Sequence, residues 1–244
     1  MRLILDKPRS AALNMAIDEM LMHSPPCLRI YSWEVPSISI GYFQDVAEAV
    51  RGFQCEKRNI PVVRRITGGG LVFHGDDLTF SLSLKPDNSF LPKDVKQSYL
   101  KVAEAVRVGL KDSYPGLDYA ECRERSRPFS THARQADRIC FQEPSCYDLM
   151  WNGKKIMGAS QRRFRASLLH QATVFLPENK QTLIEKIIDG FKRSWKISFE
   201  HRPLTEAELE KAKKIGEDRY FSSEWAFDPD YPIDIKFQQK YISS

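Results

Sequence analysis

Residues 64 to 75 read RRITGGGLVFHG. Two arginines, Arg64 and Arg65, lead into a threonine, three successive glycines at Gly68, Gly69 and Gly70, a short apolar run and His74. Glycine has no Cβ, so such a run can take positive φ and lets another molecule touch the main chain. Successive exposed N–H groups form a concavity suited to a carboxylate, phosphate or thioester oxygen. An adjacent arginine adds charge-assisted hydrogen bonds. From the residues alone the run serves equally as a tight strand connection, and a single histidine at a strand end is more often structural than catalytic. No G-K-[ST] follows the glycines, which excludes a Walker-type phosphate loop, and the GxGxxG spacing of dinucleotide-binding folds is missing.

A second reactive group is an amine. Lys154 and Lys155 follow the Asn152-Gly153 pair, the strongest hairpin signal in the chain. Strand alternation sends the two lysines to opposite faces, one into solvent and one towards the other side of the sheet. Thiols are the third. Cys27, Cys55, Cys122, Cys140 and Cys146 are an odd number with no CxxC pair. That pattern favours a reducing compartment, the cytoplasm, with thiols that are buried or reactive. A free cysteine is commonly no more than a small buried hydrophobe. The Cys and His spacings do not suit zinc, so no metal is expected.

These groups need elements to hold them. SAALNMAIDEMLM sets Ala12, Leu13, Ala16, Ile17, Met20 and Leu21 on one helical stripe, with Ser10 as N-cap. CLRIYSW, SISIGYF, IPVVRRI, LVFH and LTFSLSL read as strands around the glycine run. A helix follows at DVKQSYLKVAEAVRVGL, its stripe Val95, Tyr99, Val102, Val106 and Leu110. Residues 112 to 139 lose periodicity and carry arginines at 123, 125, 127, 134 and 138, reading as a long basic loop. Strands resume at YDLMWNGKKIMGA, SQRRFRA and LLHQATVFL, then come a helix at QTLIEKIIDGFKRSW and another opened by Thr205 and Glu208 in capping-box spacing. From about Phe221 the chain reads as an irregular tail. The pattern is α/β in the α+β sense, a mixed or antiparallel sheet flanked by helices. It divides into a catalytic domain over 1–200 and a helical, irregular C-terminal tail over 201–244 packed on it.

The chain has 244 residues, 42% of them hydrophobic, enough for one large domain with a real core. Its formal charge of +5 suits an acidic protein partner and is too weak to argue for nucleic acid. No stretch approaches the roughly 18 consecutive apolar residues of a membrane span, and the N-terminus is too short and polar for a secretory signal.

Arg-Arg, x-Thr-Gly-Gly-Gly, a β run and then His resembles the signature of the lipoate–protein ligase and octanoyltransferase family. GKKIMGASQRR at 153 to 163 is similar to that family's G-x-K-[IVL]-x-G-S-A-Q element, and AALNMAIDEML and LRIYSWEVPSISIGYFQ also resemble it. The likeness covers roughly residues 5 to 177. It implies a biotin/lipoyl ligase-like catalytic domain that forms an amide on one lysine of a lipoyl carrier domain. It implies that Gly68, Gly69, Gly70 and Gly158 line an acyl tunnel with Arg64 and His74, and that Lys155 points at the acyl oxygen.

Two chemistries share this fold. A ligase activates free lipoate with ATP and Mg as an adenylate. A transferase takes octanoate already held as a thioester on acyl carrier protein and needs no cofactor. CFQEPSCYDLMWNGKKIMG resembles the C-F-x-x-P-S-x-Y-[ED]-x stretch of cysteine-using octanoyltransferases, with Cys140 at the nucleophile's position. Cys146, six residues on, has no role in the motif. HGDDLTFS also follows the transferase form. The triple glycine is ligase-like, since the cysteine enzymes usually read Gly-Gly-Arg there, and GASQ exchanges the usual Ser-Ala order. The segment beyond Pro177 is too short for the accessory domain that many ligases carry. The resemblance thus implies octanoyl transfer through Cys140, with ATP-dependent ligation as the alternative and a non-catalytic acyl-binding module as a third. Its partners would be acyl carrier protein and the lipoyl domains of dehydrogenase complexes or the glycine cleavage carrier protein. The basic stretch at 122–138 with Arg162, Arg163 and Arg165 would steer such acidic carriers in, or form a solvated charged face.

Overall fold

Seven consecutive buried residues in Leu78–Leu84, here β6, show how the sheet is built. Leu78, Phe80, Leu82 and Leu84 enter one hydrophobic core. The residues between them are polar and face the other way: Ser81 Oγ donates to Asp18 Oδ1 (2.7 Å) and Ser83 Oγ to the Leu21 carbonyl (2.7 Å). A strand exposes alternate residues to opposite faces, so this strand is covered on both, and its buried hydroxyls are paired as burial demands.

The computed structural model describes residues 1–46, 55, 59–121, 144–222 and 225–226. Among them the other strands are β1 (Arg2–Leu5), β2 (Cys27–Tyr31), β3 (Ser37–Ile40), β4 (Val62–Arg64), β5 (Val72–His74), β7 (Asp118–Tyr119), β8 (Leu149–Trp151), β9 (Lys154–Arg163), β10 (Leu168–Val174) and β11 (Glu200–His201). The main sheet runs β11-β1-β2-β6-β10-β9-β8-β7, and a smaller one runs β4-β3-β5. β1 lies parallel to β2 and β11, whereas the β2-β6-β10-β9-β8-β7 pairings are antiparallel. The sheet is therefore mixed and flanked by helices, as the sequence pattern predicts.

On one face lie α2 (Val95–Leu110) and α3 (Lys180–Trp195). They meet at glycines: a Cβ on Gly109 would stand 2.0 Å from the Lys186 carbonyl oxygen, and one on Gly190 2.1 Å from that of Ala105. The other face carries α1 (Ala11–Leu21) and α4 (Glu206–Ile215), followed by a π-helical turn over Gly216–Tyr220. Ser10 caps α1, and Thr205 with Glu208 closes the expected capping box on α4. Glu208 also binds Arg2, at 2.5 and 2.8 Å, tying α4 to β1. Asn152 (φ 48°) and Gly153 (φ 72°) both adopt the left-handed conformation of a type I′ hairpin turn.

Three differences from the sequence pattern have plain causes. β1 and β11 are too short to show periodicity. Val95 opens the α2 stripe yet is 50% exposed, because the first turn starts before the helix reaches the sheet. α1 is buried on its polar side too, where Asp18 meets Arg29 (2.7 Å) and Glu19 meets Arg219 (2.9 Å). The basic stretch at 122–138 and the end of the tail, 227–244, lie outside the described residues.

Candidate active site

The small sheet closes over the α1 side of the main sheet and leaves a narrow cavity between them. Its floor crosses four adjacent strands, from Gly158 and Ser160 on β9 through Thr173 on β10 and Thr79 on β6 to Tyr31 on β2. At ordinary interstrand spacing that is about 14 Å of breadth. The opposite wall holds Ser39, Arg65, Val72 and His74.

The paired arginines divide the work. Arg64 is buried among backbone carbonyls: Nη1 donates to Tyr42 and Gln44 (2.7 Å each) and more loosely to Gly41, Nη2 to Ala226 (3.0 Å) and Nε to Trp225 (3.2 Å). Trp225 Nε1 answers by donating to the Arg64 carbonyl (2.9 Å). Arg64 therefore fixes the main chain behind the site, and it is Arg65 that reaches the cavity. Arg65 Nη2 donates to the carbonyls of Gly68 (2.9 Å) and Gly70 (3.0 Å), while Nη1 donates to Ser39 Oγ (2.7 Å).

The glycine run is thus held by its own upstream arginine. Gly69 has φ 89°, a left-handed geometry that favours glycine. It presses against Gly41, where an added Cβ would stand 1.9 Å from the Gly69 carbonyl oxygen. The run is seated on the main sheet through Thr67: Ser160 Oγ donates to Thr67 Oγ1 (2.9 Å), which donates to Gln171 Oε1 (2.6 Å). A Cβ at Gly68 would meet nothing within 4 Å, so this glycine faces open space.

His74 is buried and lies flat against Trp33, ring centroids 3.8 Å apart. Its Nδ1 stands 2.8 Å from Asp77 Oδ2 and its Nε2 2.7 Å from Ser39 Oγ. Burial pushes its pKa below the ordinary histidine value against the opposing pull of Asp77. A neutral ring with its proton on Nδ1 satisfies both contacts. Asp77 also accepts from Gly75 N and Thr79 Oγ1, each at 2.8 Å. Burial acts to raise its pKa, but these donors and His74 bring the net value below the usual carboxylate range.

Lys155 is turned inward and Lys154 is exposed, as the hairpin alternation requires. Lys155 Nζ pairs with Asp148 Oδ2 at 2.7 Å, and both side chains are nearly inaccessible. Burial raises the Asp148 pKa above the ordinary carboxylate value, with Lys155 opposing. Lys155 stands three residues before Gly158 on the strand that supplies the cavity floor, about 10 Å along it. It is not itself part of the cavity wall.

Among the described residues the sulfur groups are less reactive than the odd count suggests. Cys146 is disulfide-bonded, an exception to the expectation of thiols that are mostly buried or reactive. Cys27 is free but buried, its pKa pushed up to about 12. Cys140 lies outside the described residues. Among the described residues no group of three or more His, Cys, Asp or Glu is placed to hold a metal ion, and no helix is long and apolar enough to cross a membrane.

Sequence reasoning missed Ser39 and Asp77, and of the two arginines it weighed as donors it chose Arg64 for the site where Arg65 reaches the cavity. Alternation carries a signal for the arginines and for Ser39: neighbours on a strand take opposite faces, so Arg64 and Arg65 separate, and Ser37 and Ser39 share a side away from Ile38 and Ile40.

The eight-stranded mixed sheet flanked by helices is the fold of lipoate ligase-like catalytic domains. A lipoate-protein ligase A solved with ATP superposes with a TM-score of 0.75 at 25% identity, covering 93% of this chain and 98% of that one. The chain belongs to the lipoyl protein ligase A/B catalytic domain family, which matches residues 10–206. It is similar to Octanoyltransferase LipM of Oceanobacillus iheyensis, 34% identical over 81% of this chain and 73% of that protein. The LipM of Halalkalibacterium halodurans is 29% identical over 93% of this chain and 98% of its own length.

Proposed function

We propose that this chain attaches an octanoyl group to the target lysine of a lipoyl carrier domain. The observation that carries the reading is its likeness, over most of its length, to octanoyltransferases of the LipM type. The donor is octanoyl-acyl carrier protein, and the acceptors are lipoyl domains of dehydrogenase complexes or the glycine cleavage carrier protein, met in the cytoplasm. Transfer needs neither ATP nor metal, because the thioester is already activated.

Cys140 is the nucleophile. Its thiolate attacks the thioester carbonyl, the carrier's thiol leaves, and the acyl group rests on Cys140 at nearly equal energy. The carrier lysine's amine then attacks the same carbon, giving the amide and returning the Cys140 thiol. Lys155 supports the oxyanion and favours the thiolate, its amine held in one place by Asp148. Gly68, Gly69, Gly70 and Gly158 let the acyl chain approach the backbone. Arg64 and His74 act behind them, Arg64 through the carbonyls it gathers and His74 through Ser39.

ATP-dependent lipoate ligation is the second reading, favoured by the triple glycine and by the likeness to a ligase A that binds ATP. One experiment separates the two. Purified protein is incubated with a lipoyl domain and either octanoyl-acyl carrier protein or lipoate, ATP and magnesium, and the domain's mass is measured. The first mixture is expected to modify the domain, and Cys140→Ala to abolish the modification. Modification only in the second mixture overturns transfer. Undiminished transfer by Cys140→Ala overturns the covalent route. No modification in either, with measurable octanoate binding, leaves an acyl-binding module.

A further inference from the structure

Ser39, His74 and Asp77 stand in the atomic order of a hydrolase triad, with contacts of 2.7 and 2.8 Å. The direction of each hydrogen gives them a different task. Asp77 accepts at both oxygens, so the proton between it and the ring belongs to His74 Nδ1, and Nε2 is left as an acceptor. Ser39 has one hydroxyl hydrogen, and His74 Nε2 takes it. The serine oxygen is then turned as an acceptor towards Arg65 Nη1, 2.7 Å away. The lone pair that would attack a carbonyl is engaged by a guanidinium. The other end of that guanidinium grips the Gly68 and Gly70 carbonyls.

We propose that Ser39 is a positioning residue: polarised by the His74–Asp77 pair, it orients Arg65, and Arg65 in turn sets the main-chain shape of Gly68–Gly70 at the acyl cavity. This rests on the acyl-transfer reading. The line of contacts is rigid at its far end, because Trp33 stacks on His74 and donates through Nε1 to Thr79 Oγ1 (2.9 Å), which itself donates to Asp77. No step in it requires a proton to move. Its product is an arrangement of donors fixed before substrate arrives, which lowers the reorganisation that a developing oxyanion demands.

The test compares Ser39→Ala, Ser39→Thr and Asp77→Asn with the wild type, reading kcat and KM for octanoyl transfer, melting temperature and NMR of the side-chain N–H groups. Losing one hydrogen bond to a charged group predicts a kcat about 10- to 100-fold lower in Ser39→Ala, with KM for the lipoyl domain unchanged and the melting temperature close to wild type. Ser39→Thr keeps the hydroxyl and recovers most of that loss. The His74 Nδ1–H resonance survives in Ser39→Ala and disappears in Asp77→Asn. Wild-type kcat in Ser39→Ala overturns the proposal, and so does equal impairment of Ser39→Ala and Ser39→Thr, which would mark a packing role. If the wild type itself transfers no octanoyl group, the functional reading fails by itself. The Arg65 guanidinium resonances still decide the orientation: a shift in Ser39→Ala supports it and unchanged resonances overturn it.

Discussion

Lys155 Nζ and Asp148 Oδ2 form a buried ion pair 2.7 Å long at the start of the strand that floors the cavity. Asp148 Oδ2 also accepts from the Ser145 backbone N–H (2.6 Å), so the pair is tied to the turn before β8. Removing one member of a buried pair leaves the other desolvated and unmatched, which costs roughly 3–5 kcal/mol. Lys155→Ala is therefore expected to lose both transfer and stability. Asp148→Asn keeps the amine and the hydrogen bond, and should lose transfer activity with a smaller fall in melting temperature. Equal activity in Asp148→Asn and wild type would show that the carboxylate does not place the amine.

Arg64 and Arg65, adjacent in sequence, should fail differently. Arg64 gathers five backbone carbonyls, so Arg64→Ala leaves several buried acceptors unmatched at about 1–3 kcal/mol each. Its activity should fall in step with its melting temperature, and recover when assayed well below it. Arg65→Lys keeps the charge but loses the forked geometry that spans Ser39 and two glycine carbonyls. Here transfer should drop at every temperature. Denaturant melts paired with rates separate the two outcomes.

Among the glycines, Gly41 and Gly68 make the sharpest contrast. A Cβ at Gly41 collides with the Gly69 carbonyl, and one at Gly68 has open space. Gly41→Ala should displace the glycine run and destabilise by about 1–3 kcal/mol. Gly68→Ala should leave the melting temperature alone, and any loss of activity would report a chain passing close to that position. Octanoyl transfer and thermal melting of the two variants check this.

His170 predicts an acid-sensitive fold. Its ring is buried, its Nε2 has no hydrogen-bond partner among the described residues, and burial alone pushes its pKa down to about 3. The unfolded chain binds a proton near pH 6.5 that the folded ring refuses, so stability is full above about 6.5 and falls as pH drops towards 3. The total is several kcal/mol by the same linkage. His170→Leu should flatten the decline of urea-melt stability across that window. An unchanged slope would place the acid sensitivity elsewhere, in Asp77 for example, whose lowered pKa makes its contribution disappear at more acid pH.

Much of the frame was legible because it follows repeating patterns. The Asn152-Gly153 turn, the Ser10 cap, the Thr205–Glu208 box and the alternation in β6 are local physics, and the structure follows it. Sequence alternation also set Lys154 and Lys155 on opposite faces, and the family resemblance picked Lys155 as the inward one. What it did not show are contacts made between distant segments. Nothing near Ser39 in the chain announces His74, thirty-five residues away, and nothing near Arg64 announces Trp225. Buried polar groups are invisible to hydrophobic periodicity, which is why α1 read as a one-sided helix although Asn14, Asp18 and Glu19 are buried.

The grip of Arg64 on Trp225 and Ala226 bears on where this protein can be shortened. The family match ends at residue 206, and a boundary drawn there looks natural from alignment alone. Such a cut would strip away two of the carbonyls around Arg64 together with the indole that returns a bond to its backbone. A guanidinium in the wall behind the glycines would then face water. Trp225 and Ala226 are a keystone for that wall, and removing them should loosen the vault above the cavity.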